Sequence, residues 1–361
     1  MHPYKAFPDR QFWARSVSNV PWADVFLGQP SKFKLAASDR IASAGSCFAR
    51  RISESLTAQG YNYEFFEACH PLMQAQAADY GYGVFSCRYG NIYTTRQLRQ
   101  LFDEALGRRA PILRFAETKP KHFIDLMRPN VGDRGFSSAE EGRLDRLHHL
   151  TRVREMIEQM EVFIFTLGLT ETWIEPGANV VYGSHPAVFR DTIPAEFAQA
   201  VNLEYGEVVE DFEYVLDLIA RHNRNPGVRV ILTVSPVALA ATHQDTHVAM
   251  ATTYSKSVLR AAAGKLAAAH ANVDYFPSFE IFSLAQSYGQ YLAEDLREVN
   301  PRGVAVAMRV FGDMFLPRDA VNTDAAATPA RATAAAEPTV RLAPVDRECD
   351  EIANAIFDRA S

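Results

Sequence analysis

The stretch Asp39-Arg-Ile-Ala-Ser-Ala-Gly-Ser-Cys-Phe-Ala-Arg-Arg51 decides the reading of the fold. Ile41 to Ala44 is small and apolar, as a buried strand is. Gly45 permits a sharp turn, and Phe48, Ile52 and Leu56 recur at helical spacing, which predicts a helix from about Cys47. A strand, a glycine turn and a helix N-terminus together present a nucleophile on a bend. The free N–H groups and dipole of the helix stabilise negative charge beside it. Ser46 and Cys47 are the two candidates. A free cysteine is also commonly a small buried hydrophobe, so Cys47 has a packing reading beside the chemical one.

Outward from this point, strand and helix patterns alternate. Gly60 closes the first helix, and Tyr61 to Phe66 alternates weakly as a second strand. Glu67 to Thr94 is rich in loop residues, and Thr95 to Leu106 has helical spacing. Arg109 to Ser138 lacks periodicity and reads as an insertion, either a lid or a surface loop. Ala139 to Met160 is a charged amphipathic helix. Glu161 to Leu167 is a continuous apolar run suited to a central parallel strand, and it ends at Gly168-Leu-Thr-Glu-Thr-Trp173. Ligands of open α/β sheets sit outside the carboxyl ends of strands, so a site is expected there.

Pro176 to Phe197 is irregular, and Tyr205 to Asn223 is helical. Val228 to Val234 is a second buried strand that runs into Ser235-Pro236. Tyr254 to His270 is an alanine-rich helix, Val273 to Phe276 a short strand, and Gly303 to Phe315 a closing helix. The alternation predicts a three-layer α/β/α fold around a parallel sheet with loop insertions. Residues 1–34 read as an arm packed through its aromatics onto a main domain at 35–316. Residues 317–344, rich in Ala, Pro and Thr, read as a flexible linker, and 345–361 as a short helix.

Composition narrows the function classes. A chain of 361 residues with 48% hydrophobic and 22% charged residues is an ordinary globular protein. A net charge of −6 argues against a nucleic-acid partner. The four cysteines, Cys47, Cys69, Cys87 and Cys349, lack pairing or metal-ligand spacing, which fits a reducing compartment and no metal or other cofactor. With no signal-peptide core and no run of membrane-spanning length, a cytoplasmic enzyme is expected.

Gly45-Ser46-Cys47-Phe48-Ala49 spells the motif that names the GSCFA family, a bacterial group similar to the SGNH (GDSL-type) hydrolases. Tyr89-Gly-Asn-Ile-Tyr-Thr94, Thr166 to Trp173, Leu232 to Pro236 and Tyr275 to Glu280 resemble the later blocks of that family, in order. The resemblance covers roughly Ile41 to Phe315 and implies a flavodoxin-like SGNH-hydrolase fold. It implies acyl-ester chemistry, as an esterase or O-acyltransferase acting on a glycan or glycan precursor, with a small-molecule or glycan ester as substrate.

Acyl transfer needs a nucleophile, a base and oxyanion donors. Aligned on its glycine, the motif places Cys47 at the nucleophile position, with Ser46 as the alternative or a supporting hydroxyl. Gly90 and Asn91 correspond to the second SGNH block, as oxyanion donors. Gly168, Thr170 and Glu171 correspond to the third, with Thr170 either donating to the oxyanion or capping a following helix. The last block, Asp-x-x-His in SGNH enzymes, reads Asp295-Leu-Arg-Glu298 here. The expected histidine base is therefore replaced by Glu298. A base then comes from Glu298 or from a histidine elsewhere, first His70, then His185, His243 or His247. The alternative in another class is a non-catalytic binding protein that retains the pocket.

Overall fold

The structure, a computed structural model, describes residues 2–46, 48–131, 135–190 and 192–317. Cys47, Cys349, the expected linker beyond residue 317 and the expected C-terminal helix lie outside the described residues.

A four-stranded parallel sheet forms the centre. Its strands are β1 (Ile41–Gly45), β4 (Val162–Leu167), β8 (Arg229–Val234) and β9 (Val273–Phe276), side by side in that order. The intervening strands belong to smaller sheets. β2 (Phe115–Lys119) and β3 (His122–Asp125) form a hairpin, and β5 (Glu171–Glu175) lies between β6 (Val180–Tyr182) and β7 (Gln199–Asn202). The helices are α1 (Phe48–Ala58), α2 (Thr95–Ala105), α3 (Ala139–Gln159), α4 (Tyr205–His222), α5 (Val248–Ala269), α6 (Ser278–Ser283) and α7 (Pro301–Phe315).

The sheet is buried on both faces because its apolar strands alternate between two cores. Phe163, Phe165, Val230, Leu232 and Val273 join residues of α2 to α5 on one side. Val162, Ile164, Ile231 and Phe276 join Phe48, Ile52 and Leu56 of α1 and the apolar side of α7 on the other. The result is the three-layer α/β/α fold that the alternating pattern predicts. Of the N-terminal aromatics, Trp22 and Phe33 pack against the second core, whereas Trp13 is exposed.

Local structure departs from expectation in several places. The stretch from Tyr61 to Phe66 makes one parallel bridge, between Tyr63 and Ile41, and no longer strand. Glu64 pairs there with Arg40, and Glu67 turns inward to Arg88 and His149, which ends the ladder. The Arg109–Ser138 insertion holds the β2–β3 hairpin, which packs on the β5 sheet through Ile112, Ile124, Val180 and Tyr182. A strand, not a helix, follows Thr170, so Thr170 is not a helix cap. Helix α5 starts at Val248, earlier than its alanine-rich body suggests, because His247 Nδ1 accepts the Ala249 N–H as a cap.

The order across the sheet creates the site. From β1 the chain goes through α1 to the Tyr63 bridge on one edge and later returns to β4 on the other side of β1. The carboxyl ends of β1 and β4 therefore flank the point where the winding reverses, and a crevice opens there.

Candidate functional site at the switch point

Gly45 ends β1 opposite Thr166, its register partner on β4. Its φ of +137° is disfavoured for residues with a side chain, and an added Cβ would lie 2.5 Å from the Thr166 carbonyl oxygen. Only glycine lets the chain turn this close to the neighbouring strand. Ser46 follows directly, and its carbonyl accepts the Ala49 N–H at 2.8 Å as α1 begins.

The facing turn is Gly168-Leu169-Thr170, after β4. It is held by a capping box at α2, where Thr94 Oγ1 accepts the Gln97 N–H while Gln97 Oε1 accepts the N–H groups of Tyr93 and Thr94. That fixes the Tyr93 carbonyl, which accepts the N–H groups of Gly168 and Leu169 at 3.0 and 2.9 Å. A Cβ on Gly168 would come within 3.1 Å of the Tyr93 backbone and 3.3 Å of Ser46 Cβ, so the absent side chain lets three segments meet.

Between these turns lies a cavity of about 350 Å³. Its walls are mostly apolar, from Leu169, Trp173, Val188 and the run Val237 to Ala241. The loop carrying that run is clamped at three points. Arg297 Nε donates to the Ala238 carbonyl at 3.2 Å, and the Leu239 N–H donates to Thr252 Oγ1 at 3.2 Å. Glu171 accepts Thr242 Oγ1–H at 2.6 Å and the His243 N–H at 3.2 Å.

Two buried polar side chains, Ser46 and Lys256, are part of its wall. Ser46 is 4% exposed, and its Oγ is buried with no hydrogen-bond partner among the described residues. Lys256 of α5 is 1% exposed, and its Nζ donates to the Gly168 carbonyl at 2.7 Å. Burial, reinforced by the charge of Arg297, lowers the Lys256 ammonium from 10.5 to about 7. At neutral pH a large fraction of this amine is therefore free base.

The expected site residues divide between this cavity and other places. Ser46, Gly168 and Glu171 line it. The backbone N–H groups of the Gly168–Thr170 turn are all occupied. Its first two N–H groups are held by Tyr93, and the Thr170 N–H donates to Ser255 Oγ at 3.0 Å. Thr170 Oγ1 is buried with no partner among the described residues, and it does not line the cavity. Gly90 and Asn91 border a separate space of about 20 Å³ that shares Tyr93, Gly183 and Ser184 with the main cavity.

Asp295 and Glu298 are not in the cavity wall. Asp295 Oδ1 accepts the N–H groups of Arg297 and Glu298, and Glu298 accepts from Arg297 Nη1 at 2.8 Å. It is Arg297, between them, that reaches the cavity. His70 is exposed and accepts the Leu72 N–H as the cap of a 3₁₀ turn, and His247 caps α5. His185 and His243 do line the cavity. His185 has both ring nitrogens committed, one to the Ala187 N–H and one to the Ala195 carbonyl. His243 stands beside Glu171, with Nε2 3.6 Å from its carboxylate.

Lys256, Arg297 and Trp173 escape a reading of the sequence alone. Lys256 leaves one trace, since it shares the 3–4–3 spacing of the apolar stripe Leu259, Ala263 and Leu266. A lysine on a buried stripe is the signal. Among the described residues, no group of three or more His, Cys, Asp or Glu side chains is placed to hold a metal ion. No helix among them is long and apolar enough to cross a membrane.

The fold and this crevice define a three-layer α/β/α protein with a preformed cavity at the switch point of its parallel sheet. The GSCFA family model matches residues 40–311, and the chain belongs to the GSCFA family. No curated protein matches the chain.

Proposed function

We propose that this protein is an acyl-ester hydrolase or O-acyltransferase whose nucleophile comes from the Ser46–Cys47 turn. The observation that carries the proposal is Ser46 Oγ, a buried hydroxyl with no partner among the described residues, in the wall of a cavity at the switch point. A buried hydroxyl left unpaired costs stability, so its retention points to a partner that arrives with the substrate. Helix α1 begins beside it, and its positive end favours the developing oxyanion. The resemblance to SGNH hydrolases supports the same chemistry.

A volume of about 350 Å³ is at the small end of the roughly 300–1,000 Å³ typical of ligand sites. It suits one acyl group and the near part of an acceptor, such as a sugar hydroxyl, and the apolar loop suits the acyl chain. The net charge of −6 favours a small ester over nucleic acid as the partner. Cys69 and Cys87 are free thiols, in keeping with a reducing, cytoplasmic setting.

The test is turnover of p-nitrophenyl acetate together with intact-mass detection of an acyl-enzyme, for wild type, Ser46→Ala and Cys47→Ala. Removing the nucleophile is expected to lower turnover by about 10³-fold or more and to abolish the adduct. Loss confined to Cys47→Ala keeps the chemistry and moves the nucleophile by one residue. Absence of both turnover and adduct in wild type overturns the proposal and leaves a binding protein that uses the same cavity.

A further inference from the structure

Among the lysines and arginines of the cavity, Lys256 is the one held by a carbonyl and no acid. Its Nζ has the Gly168 carbonyl, and no described carboxylate lies within ion-pair distance. Among the described residues, the other titratable groups of the cavity wall are Tyr93, Glu171, His185, His243 and Arg297. Glu171 is occupied by Thr242 and His243, and Glu298 by Arg297. On its own helix, Arg260 pairs with Glu280 and leaves Lys256 alone. A buried ammonium without a counter-charge is costly, and a protein that keeps one holds it as a neutral amine.

That amine shares a cavity with the orphan hydroxyl, with no hydrogen bond between the two, so proton transfer runs through a closer approach or one bridging water. Both flank Gly168: Lys256 Nζ donates to its carbonyl, and Ser46 Cβ lies 3.3 Å from where a Cβ on Gly168 would stand. Both side chains line one cavity. Of the expected histidines that line the cavity, His185 has both ring nitrogens committed, and His243 has Nδ1 3.1 Å from Gln244 Nε2.

We infer that Lys256 is the general base for Ser46, so that the two act as a serine–lysine pair. The inference rests on the acyl-ester reading of the site. Ser46 Oγ bonds to the ester carbonyl carbon while its proton passes to neutral Lys256 Nζ and the carbonyl π pair moves onto oxygen. Collapse re-forms the carbonyl and breaks the bond to the leaving alkoxide, which takes the proton back from Lys256. Water, or an acceptor hydroxyl, then attacks the acyl-serine and gives its proton to Lys256, and Ser46 leaves with that proton. The lowered ammonium of Lys256 supplies the free base at neutral pH.

The experiment follows acylation by p-nitrophenyl acetate and by a fluorophosphonate from pH 5 to 10, with the modified residue identified by peptide mass spectrometry, in wild type, Lys256→Met and Lys256→Arg. The expected result is an adduct on Ser46 whose formation in wild type rises with a midpoint near 7. In both variants the rate at pH 8 falls by about 100-fold or more and the midpoint disappears. Lys256→Arg retains the charge and the donor but not the base, which separates proton transfer from mere positioning. Ser46 adducts forming in Lys256→Met within about threefold of wild type, with an unchanged pH profile, overturn the inference and leave the acyl-ester reading standing. An adduct on Cys47 alone overturns the pairing with Ser46, and no adduct in wild type overturns both.

Discussion

Replacing Lys256 by Met reports on the buried amine without any substrate. A drop from 10.5 to about 7 on folding means that the native state holds the Lys256 proton less tightly than the unfolded chain does. At about 1.4 kcal/mol for each tenfold loss of proton affinity, the charged lysine costs about 5 kcal/mol, as an upper bound, at any pH below about 7. Above pH 7 the unfolded state binds the extra proton, so stability rises with pH and the cost fades toward 10.5.

Met fills nearly the same volume but leaves the Gly168 carbonyl without its donor, at about 1–3 kcal/mol. The balance is a sign change. Lys256→Met is expected to be more stable than wild type by about 2–4 kcal/mol at pH 6, and less stable by about 1–2 kcal/mol at pH 10. Urea unfolding of both proteins at the two pH values measures the difference, and every other titrating group cancels in the comparison. A difference that does not change with pH would refute the argument, because it would mean that Lys256 keeps its proton in the folded protein.

Two further outcomes follow from the packing. Gly45→Ala forces a Cβ onto the Thr166 backbone at a φ of +137°, and should cost about 3 kcal/mol or more in urea unfolding; a loss below about 1 kcal/mol would show that β1 and β4 separate easily. Glu67, buried beside Arg88 and His149, would be raised by burial alone, yet His149, Arg128 and Arg88 hold its carboxyl low. Glu67→Gln should therefore cost about 3 kcal/mol above pH 5, a difference that shrinks as the pH falls from 4.5 toward 2 and the native carboxylate itself takes up a proton. Acid titration of unfolding for the two proteins checks it.

The turn at Gly45-Ser46, the apolar runs of β4 and β8, and the glycine after β4 were legible in the sequence because each is a local signal. A strand buried on both faces must be apolar throughout, and a backbone conformation closed to other residues must be glycine. Those signals carry the α/β alternation and the place of the crevice, since an open parallel sheet has its switch point where its strands end.

What tertiary structure decided is which side chains share that crevice. Lys256 lies 88 residues from the carbonyl it touches, and its place on an apolar stripe does not say which cavity it enters. Arg297 sits between the two acids that the motif singles out, and the fold turns the arginine, not the acids, toward the cavity. His70 carries the same imidazole as His243, but one caps the start of a 3₁₀ turn at the surface and the other lines the cavity. Local spacing sets backbone conformation, whereas proton affinity depends on burial and on neighbours brought from distant parts of the chain. The bend that presents Ser46 is therefore written in thirteen consecutive residues, and the lysine that shares its cavity comes there only once the sheet has been wound.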